Sequence, residues 1–226
     1  MINWKYLASL NFSIVWGYAG VLFHGLLVSL GLTAVSVFIG LLGGIFLAIA
    51  NQSKFKPLGW MVIAYVEVWR NTPLVVQLIW IHFALPVLTG ISTTAFQSGL
   101  VTLTLGVTAY FTEIVRAGIG SIHKGQYEAA DSLGLSTLTK WKRIILPQAI
   151  RVVLPPLTSM VIGVFKATAI LSILSVNELM QIGNKISNFT FRPVEIITTV
   201  AVIYFFTGTI LSKIGNLIEN RYTLKN

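Results

Sequence analysis

Long apolar stretches alternate with short polar connections along most of the chain. A helix that crosses a bilayer needs about 20 mostly apolar residues. Five segments meet this requirement, near residues 25–50, 58–81, 98–119, 157–176 and 196–214. The pattern predicts an all-α membrane protein with five transmembrane helices, forming a single transmembrane domain over residues 1–226.

The segment before the first span differs from a cleaved signal peptide, because it mixes polar residues with large aromatic rings. Trp4, Tyr6 and Trp16 favour a segment that lies at the membrane surface and leads into the first span. Within that span, Gly40 and Gly44 form a small-xxx-small pair. This spacing predicts that another helix packs closely against it.

Composition agrees with a membrane location. Hydrophobic residues make up 55% of the 226 residues and charged residues only 10%, whereas soluble domains carry about 25% charged residues. The net charge of +9 does not indicate nucleic-acid binding, since the basic residues fall mainly between apolar runs. There is no cysteine, and the three histidines are scattered singly, so we expect no metal site.

The distribution of basic residues predicts the orientation, because cytoplasmic connections are richer in Lys and Arg. One set of alternate connections carries Lys54, Lys56, Lys124, Lys140, Lys142, Arg143, Arg151, Arg221 and Lys225. The other set carries only Lys5, Lys185 and Arg192. We therefore expect the N-terminus outside the cell and the C-terminus in the cytoplasm.

The connection at residues 121–156 is the longest and least apolar of the cytoplasmic set. Its sequence favours a short helix over Gln126–Leu133, with Gly134 ending it in a left-handed turn. Ser136 can cap a second helix, while Pro147 and the pair Pro155-Pro156 are expected to punctuate the return into span four. The second helix has an apolar stripe of Leu135, Leu138, Trp141 and Ile145. Two such helices suit either a docking surface or an ordinary amphipathic connector.

Ionisable residues lie inside two of the spans, where a charge near the midplane costs about 2.5–3.5 kcal/mol. Glu67 and Arg70 in span two could neutralise each other, or Arg70 could line a polar pathway. Pro73 follows Asn71 and Thr72 and frees a backbone carbonyl there. Polar groups for a solute would then come from Asn71, Thr72 and Gln77.

Span four carries Lys166, which is either paired with a carboxylate or exposed to the same pathway. Small and hydroxyl residues follow it, and we include Ala167, Thr168 and Ser172 in the candidate pathway. Glu113 and Arg116, at the end of span three, are interpreted as a structural pair that supports the following loop.

Several motifs together resemble the permease subunits of ATP-binding-cassette importers. Glu128-Ala129-Ala130, then Gly134, then Ile145-Leu146-Pro147 is similar to their cytoplasmic signature. This chain also resembles the polar amino-acid subfamily in four stretches, at residues 70–77, 113–119, 132–136 and 145–149. The similarity covers about residues 26–191.

This resemblance implies a type I importer fold with a short cytoplasmic coupling helix between spans three and four. It implies four partners: a dimer of ATP-binding-cassette ATPases, a second permease chain that is identical or paralogous, an extracytoplasmic solute-binding protein, and membrane lipid. ATP and Mg would bind the partner ATPase, since this chain lacks a GxxxxGK[ST] loop, and the chain is then neither an enzyme nor a cofactor carrier. ATPase coupling is expected of Gly125, Gln126, Tyr127, Glu128, Ala129, Ala130, Asp131, Leu133 and Gly134.

The resemblance also bears on the solute. Relatives often carry an acidic residue after the lysine of span four, implicated in contacts with cationic amino acids, whereas this chain has Ala167. With Arg70 and Lys166 in the pathway, we expect an acidic or zwitterionic amino acid to cross the bacterial inner membrane. The alternative is an ion-coupled secondary transporter of small polar solutes, although no internal repeat supports it.

Overall fold

The computed structural model describes residues 10–53 and 55–222, which form eight helices and, within those ranges, no strand. We number the helices α1 to α8 in chain order. They span Phe12–Ala50, Lys56–Asn71, Leu74–Thr89, Ala95–Gly120, Lys124–Ser132, Thr137–Leu174, Leu179–Thr190 and Pro193–Tyr222.

Four of these helices, α1, α4, α6 and α8, are each long and apolar enough to cross a membrane. Helices α2 and α3 together have the required length and composition but meet at a bend of 107°, so they form either a broken fifth crossing or a re-entrant segment. The prediction of an all-α membrane protein is therefore confirmed. The single unbroken helix expected over residues 58–81 is instead two helices.

The glycine pair of α1 packs directly on α4. A Cβ atom on Gly44 would lie 2.6 Å from Cβ of Phe111, and one on Gly40 would lie 2.8 Å from Cγ1 of Val107. Side chains of any size would separate the two helices, so the small residues are what permits this contact.

Helix α6 is longer than the expected span at residues 157–176. It starts at Thr137 and passes through a π-helical turn at Trp141–Ile145 before it becomes regular at Leu146. Pro155 and Pro156 lie inside the helix instead of interrupting the chain before span four. Helices that cross membranes tolerate proline because neighbouring helices and local changes of pitch compensate for the missing hydrogen bonds.

Helix α1 also starts earlier than expected, with a 3₁₀ segment at Phe12–Tyr18 that continues into the α-helix. Trp16 lies on this segment with 80% of its surface exposed. Trp4 and Tyr6, and the basic residues Lys5, Lys54 and Lys225, lie outside the described residues.

Glu178, between α6 and α7, is fully buried and joins three parts of the fold. Its carboxylate accepts hydrogen bonds from the backbone amides of Met180 and Gln181 at 2.9 and 2.7 Å, which caps α7. It also accepts the hydroxyls of Ser29 on α1 and Tyr204 on α8, at 3.3 and 2.9 Å. Burial raises the pKa of this carboxyl, and the four donors oppose the rise.

Candidate functional site

The break between α2 and α3 lies at Thr72 and Pro73. Pro73 has no backbone N–H to donate and disfavours a helical conformation at the residue before it. Thr72 accordingly adopts an extended conformation, with φ −107° and ψ 141°. The break leaves carbonyl groups at the end of α2 without their usual helical partners.

Gln77 supplies the missing donors. Its side-chain amide nitrogen lies 2.9 Å from the carbonyl oxygen of Trp69 and 3.1 Å from that of Thr72. The same nitrogen lies 2.6 Å from the hydroxyl of Thr72. Gln77 is 9% exposed, so its amide is committed to the bend and presents little surface to a solute.

Glu67 and Arg70 of α2 do not form the ion pair with each other that one of the two sequence interpretations proposed. Glu67 accepts a hydrogen bond from the side-chain amide of Asn71, and Arg70 reaches across to Glu113 on α4 at 3.9 Å. Arg116 donates to the same carboxylate, with its Nε 3.1 Å from Oε2. The link from α2 to α4 therefore passes through Glu113, which two guanidinium groups share.

A cavity of about 360 Å³ opens beside the helix break. Three of the candidate pathway residues line it: Thr72, Gln77 and Ala167. Arg70 is not a lining residue, but its guanidinium lies 5.7 Å from the ring centre of Tyr110, which does line the cavity. The remaining lining residues are Trp69, Leu74, Leu103, Gly106, Val107, Met160, Gly163 and Val164.

The other candidates on α6 are not brought to this cavity. Lys166 lines a separate cavity with Met180 and Tyr204, on the side of α7 and α8. The hydroxyls of Thr168 and Ser172 donate to backbone carbonyls within their own helix. Lys166 and Ala167, although adjacent in sequence, therefore face different neighbours.

Most of the apolar lining was missed by the sequence interpretation. Met160, Gly163 and Ala167 are spaced by three and four residues, which places them on one face of a helix. Extending that spacing back from Ala167 would have identified the first two. Tyr110 has no such signal, because its position depends on how α4 packs against α2.

Helix α5 corresponds to the short helix expected at residues 126–133. It begins two residues earlier, with the His123 side chain accepting the Gly125 amide, and it ends at Ser132. Gly134 has φ +65°, as the predicted left-handed turn requires. Its backbone N–H donates to the carbonyl oxygen of Asp131, and the backbone N–H of Leu135 donates to the carbonyl oxygen of Ala130. This is the bonding pattern of a helix that ends at a glycine.

One face of α5 is fixed to α6. The ring of Tyr127 meets that of Trp141 edge-on, with centroids 6.5 Å apart, and Asp131 pairs with Lys140 at 2.6 Å. Gln126 accepts a hydrogen bond from Gln148 at 3.2 Å. Ala130 is fully buried against the chain itself, so it cannot offer the outward docking face that the sequence suggested for it.

The opposite face of α5 is exposed. It carries Glu128 and Ala129, and Leu133 follows with 75% of its surface exposed. Glu128 is the fifth residue of the helix and lies beyond its first turn. Its carboxylate points away from the fold and is accessible to another protein.

The described residues contain no group of three His, Asp or Glu side chains placed to hold a metal ion. At the helix break, the side chains of Thr72 and Gln77 form hydrogen bonds with backbone carbonyls and with each other. Neither the break nor α5 has a paired nucleophile and base among the described residues.

Residues 40–223 match the family model described as the inner membrane component of binding-protein-dependent transport systems. The chain belongs to this family. Permease subunits of this class are not enzymes, and ATP is hydrolysed by a separate ATPase subunit. A solute-binding protein and an ATPase are general partners of such systems.

Similar proteins include the arginine transport system permease protein ArtQ of Bacillus subtilis, 34% identical over 94% of this chain and 97% of ArtQ. The putative glutamine transport system permease protein GlnP of Rickettsia bellii is 35% identical over 88% of this chain and 91% of its own. A crystal structure of an amino acid ABC transporter with histidines has a TM-score of 0.89 and 36% identity, covering 94% of this chain and 99% of that one. The resemblance to amino-acid importer permeases is therefore confirmed.

Proposed function

We propose that this chain carries a polar amino acid across the bacterial inner membrane through the cavity beside the helix break. The observation that carries this proposal is the position of that cavity, where Thr72 at the helix break meets the face of α6 that bears Ala167. Amino-acid substrates named for similar permeases support the same class of solute.

The solute is an amino acid with a neutral or acidic side chain. Among the described residues, no carboxylate lines the cavity, and Ala167 occupies the position where relatives often carry an acid. Arg70, which contacts the lining residue Tyr110 and lies 3.9 Å from Glu113, would offer its remaining N–H donors to the solute carboxylate. Lys166 has no part in this preference, since it lies in the other cavity.

The energy comes from ATP and Mg bound by a dimer of partner ATPases, which dock on the exposed face of α5. A second permease chain, identical or paralogous, completes the pathway, because the cavity draws its lining from only α2–α3, α4 and α6. A solute-binding protein delivers the amino acid at the outer face. The N-terminus then lies outside the cell and α5 in the cytoplasm.

Uptake by the reconstituted complex tests the proposal. Vesicles containing the permease, its ATPase and its binding protein are supplied with labelled glutamate, glutamine or arginine. We expect uptake that stops without ATP hydrolysis and that favours glutamine or glutamate. Arginine as the best substrate would overturn the preference, and uptake driven by an ion gradient alone would favour a secondary transporter.

A further inference from the structure

An apolar groove of about 630 Å³ lies between α1, α4 and α6, apart from the cavity at the helix break. Along α6 the groove begins at Trp141, and its apolar lining then runs from Leu146 to Leu157, a distance of about 16 Å at 1.5 Å per residue. This is close to half of a hydrocarbon core of about 30 Å. The groove therefore has the length of one leaflet's acyl chain.

One end of the groove is polar, and two basic residues are adjacent in sequence to its lining. Trp141 and Gln52 line that end, and Lys142 and Arg143 follow Trp141 directly on the π-helical turn. Both basic residues are exposed, and neither forms an ion pair with any described residue. A tryptophan beside unpaired basic side chains is the arrangement expected where a helix meets lipid headgroups.

The groove and the solute cavity share α4 and α6 and differ in their third wall. The α1 residues Leu41, Ile45 and Ile49 form the wall of the groove, whereas α2 and α3 form the wall of the cavity. A second permease chain that closes the cavity must approach from the side of α2 and α3. The groove then faces the bilayer.

We propose that the groove binds an anionic phospholipid of the cytoplasmic leaflet, with one acyl chain between α1 and α6 and the phosphate at Lys142 and Arg143. This assignment rests on the proposed orientation of the chain. Basic side chains at the cytoplasmic membrane surface attract anionic lipids, and a guanidinium group binds phosphate oxygens through two N–H donors.

The bound lipid would act on α5, since the groove and the support of α5 share residues. Ile119, Trp141 and Ala149 line the groove and also belong to the cluster of side chains packed around Ile145 beneath α5. An acyl chain against these residues holds Trp141 in contact with Tyr127. Lipid occupancy is thereby linked to the position of the ATPase-docking helix.

Native mass spectrometry of the complete permease–ATPase complex tests this assignment. The complex is released from nanodiscs made of equal parts of phosphatidylglycerol and phosphatidylethanolamine, and the retained lipids are counted. We expect preferential retention of phosphatidylglycerol, and a preference about 25-fold lower when Lys142→Gln and Arg143→Gln are combined, from about fivefold for each charge. The matched control combines Lys213→Gln and Arg221→Gln on α8, away from the groove.

A second pair of variants tests the groove itself. Ile45→Trp fills the groove and is expected to lower lipid retention, whereas Phe46→Trp, at the adjacent exposed position outside the lining, leaves retention unchanged. Equal retention of both lipids, or equal losses in the two charge-removal variants, would overturn the assignment. So would unchanged retention in Ile45→Trp.

The chain has no native cysteine, so a single cysteine at Ile45 can also be tested for crosslinking to a second permease. A crosslink there would mean that protein occupies the groove, which contradicts the assignment. Loss of amino-acid uptake by the unmodified complex would overturn the proposed function and leave the lipid count unchanged, so the two failures are distinguishable.

Discussion

The side-chain amide of Gln77 donates to both oxygens of Thr72, the carbonyl at 3.1 Å and the hydroxyl at 2.6 Å. These bonds join the first turn of α3 to the last residue before Pro73. They replace backbone bonds that proline cannot make, and they hold the bend of 107° between α2 and α3. The cavity proposed to bind the solute depends on this bend because Thr72 and Gln77 both line it.

Replacing Gln77 with Glu should destabilise the protein, even without solute. An ionised glutamate is nearly the same size but has no N–H donor, so the carbonyls of Trp69 and Thr72 lose their partner. The expected loss is about 1–3 kcal/mol, measured as a lower midpoint of thermal unfolding in detergent. Val76→Leu, at a neighbouring exposed position, is the control. An unchanged midpoint with reduced uptake would instead make Gln77 a solute contact.

The close approach of α1 and α4 predicts a difference between two glycines of the same helix. Gly44→Ala brings a methyl group within 2.6 Å of Cβ of Phe111, whereas Gly31→Ala meets nothing within 4 Å. Overpacking costs about 1–3 kcal/mol, so Gly44→Ala should lower the thermal midpoint and Gly31→Ala should not. Equal stability of the two variants would contradict the packing described for α1 and α4.

Glu128→Arg should abolish the ATPase activity that substrate and binding protein stimulate. Glu128 is exposed on the outward face of α5, so reversing its charge alters the docking surface and leaves the packing beneath it intact. Glu128→Gln, which removes the charge only, should reduce the stimulation less. Membrane insertion and stability should match those of the unmodified chain. A fully stimulated Glu128→Arg complex would exclude this face as the docking surface.

Gly134 offers an independent test, because it acts through the backbone. Its φ of +65° costs a residue with a Cβ about 1–2 kcal/mol. Asparagine tolerates this conformation better than most residues. Gly134→Val should therefore reduce stimulated ATPase activity strongly, and Gly134→Asn only weakly. A Cβ atom added to Gly134 would meet nothing within 4 Å, so a difference between the two variants would not come from steric contact. Equal activities would indicate that the turn has no role in coupling.

Ala167→Asp should shift the choice of solute. The new carboxylate faces the cavity and favours cationic amino acids, so uptake of arginine relative to glutamine should rise about tenfold, or about 1.4 kcal/mol. Ala169→Asp is the matched control, since Ala169 lines the other cavity with Lys166. A shift produced by Ala169→Asp but not by Ala167→Asp would place the pathway on the side of α7 and α8.

Local sequence signals predicted the features that depend on a few neighbouring residues. The turn at Gly134, the N-cap at Ser136 and the close contact at Gly40 and Gly44 all follow from residue type and spacing. Each of these features is set within one or two helical turns. The apolar runs likewise predicted the spans, because length and hydrophobicity determine them.

Features that depend on packing between distant segments were not predictable in this way. Proline at position 73 breaks a helix, while Pro155 and Pro156 do not, and the difference lies in the support around each site. The direction of Lys166 depends on where α7 and α8 pack against α6. Glu113 became the partner of Arg70 only because α4 crosses α2 at that point.

The buried carboxylate of Glu178 restricts how the transporter can change shape. Because it is bonded to α1, α7 and α8 at once, those three helices cannot separate without leaving a buried acceptor or its donors unpaired. They should therefore travel together as one rigid body during alternating access. Relative movement is then expected between this group of three helices and the remaining ones.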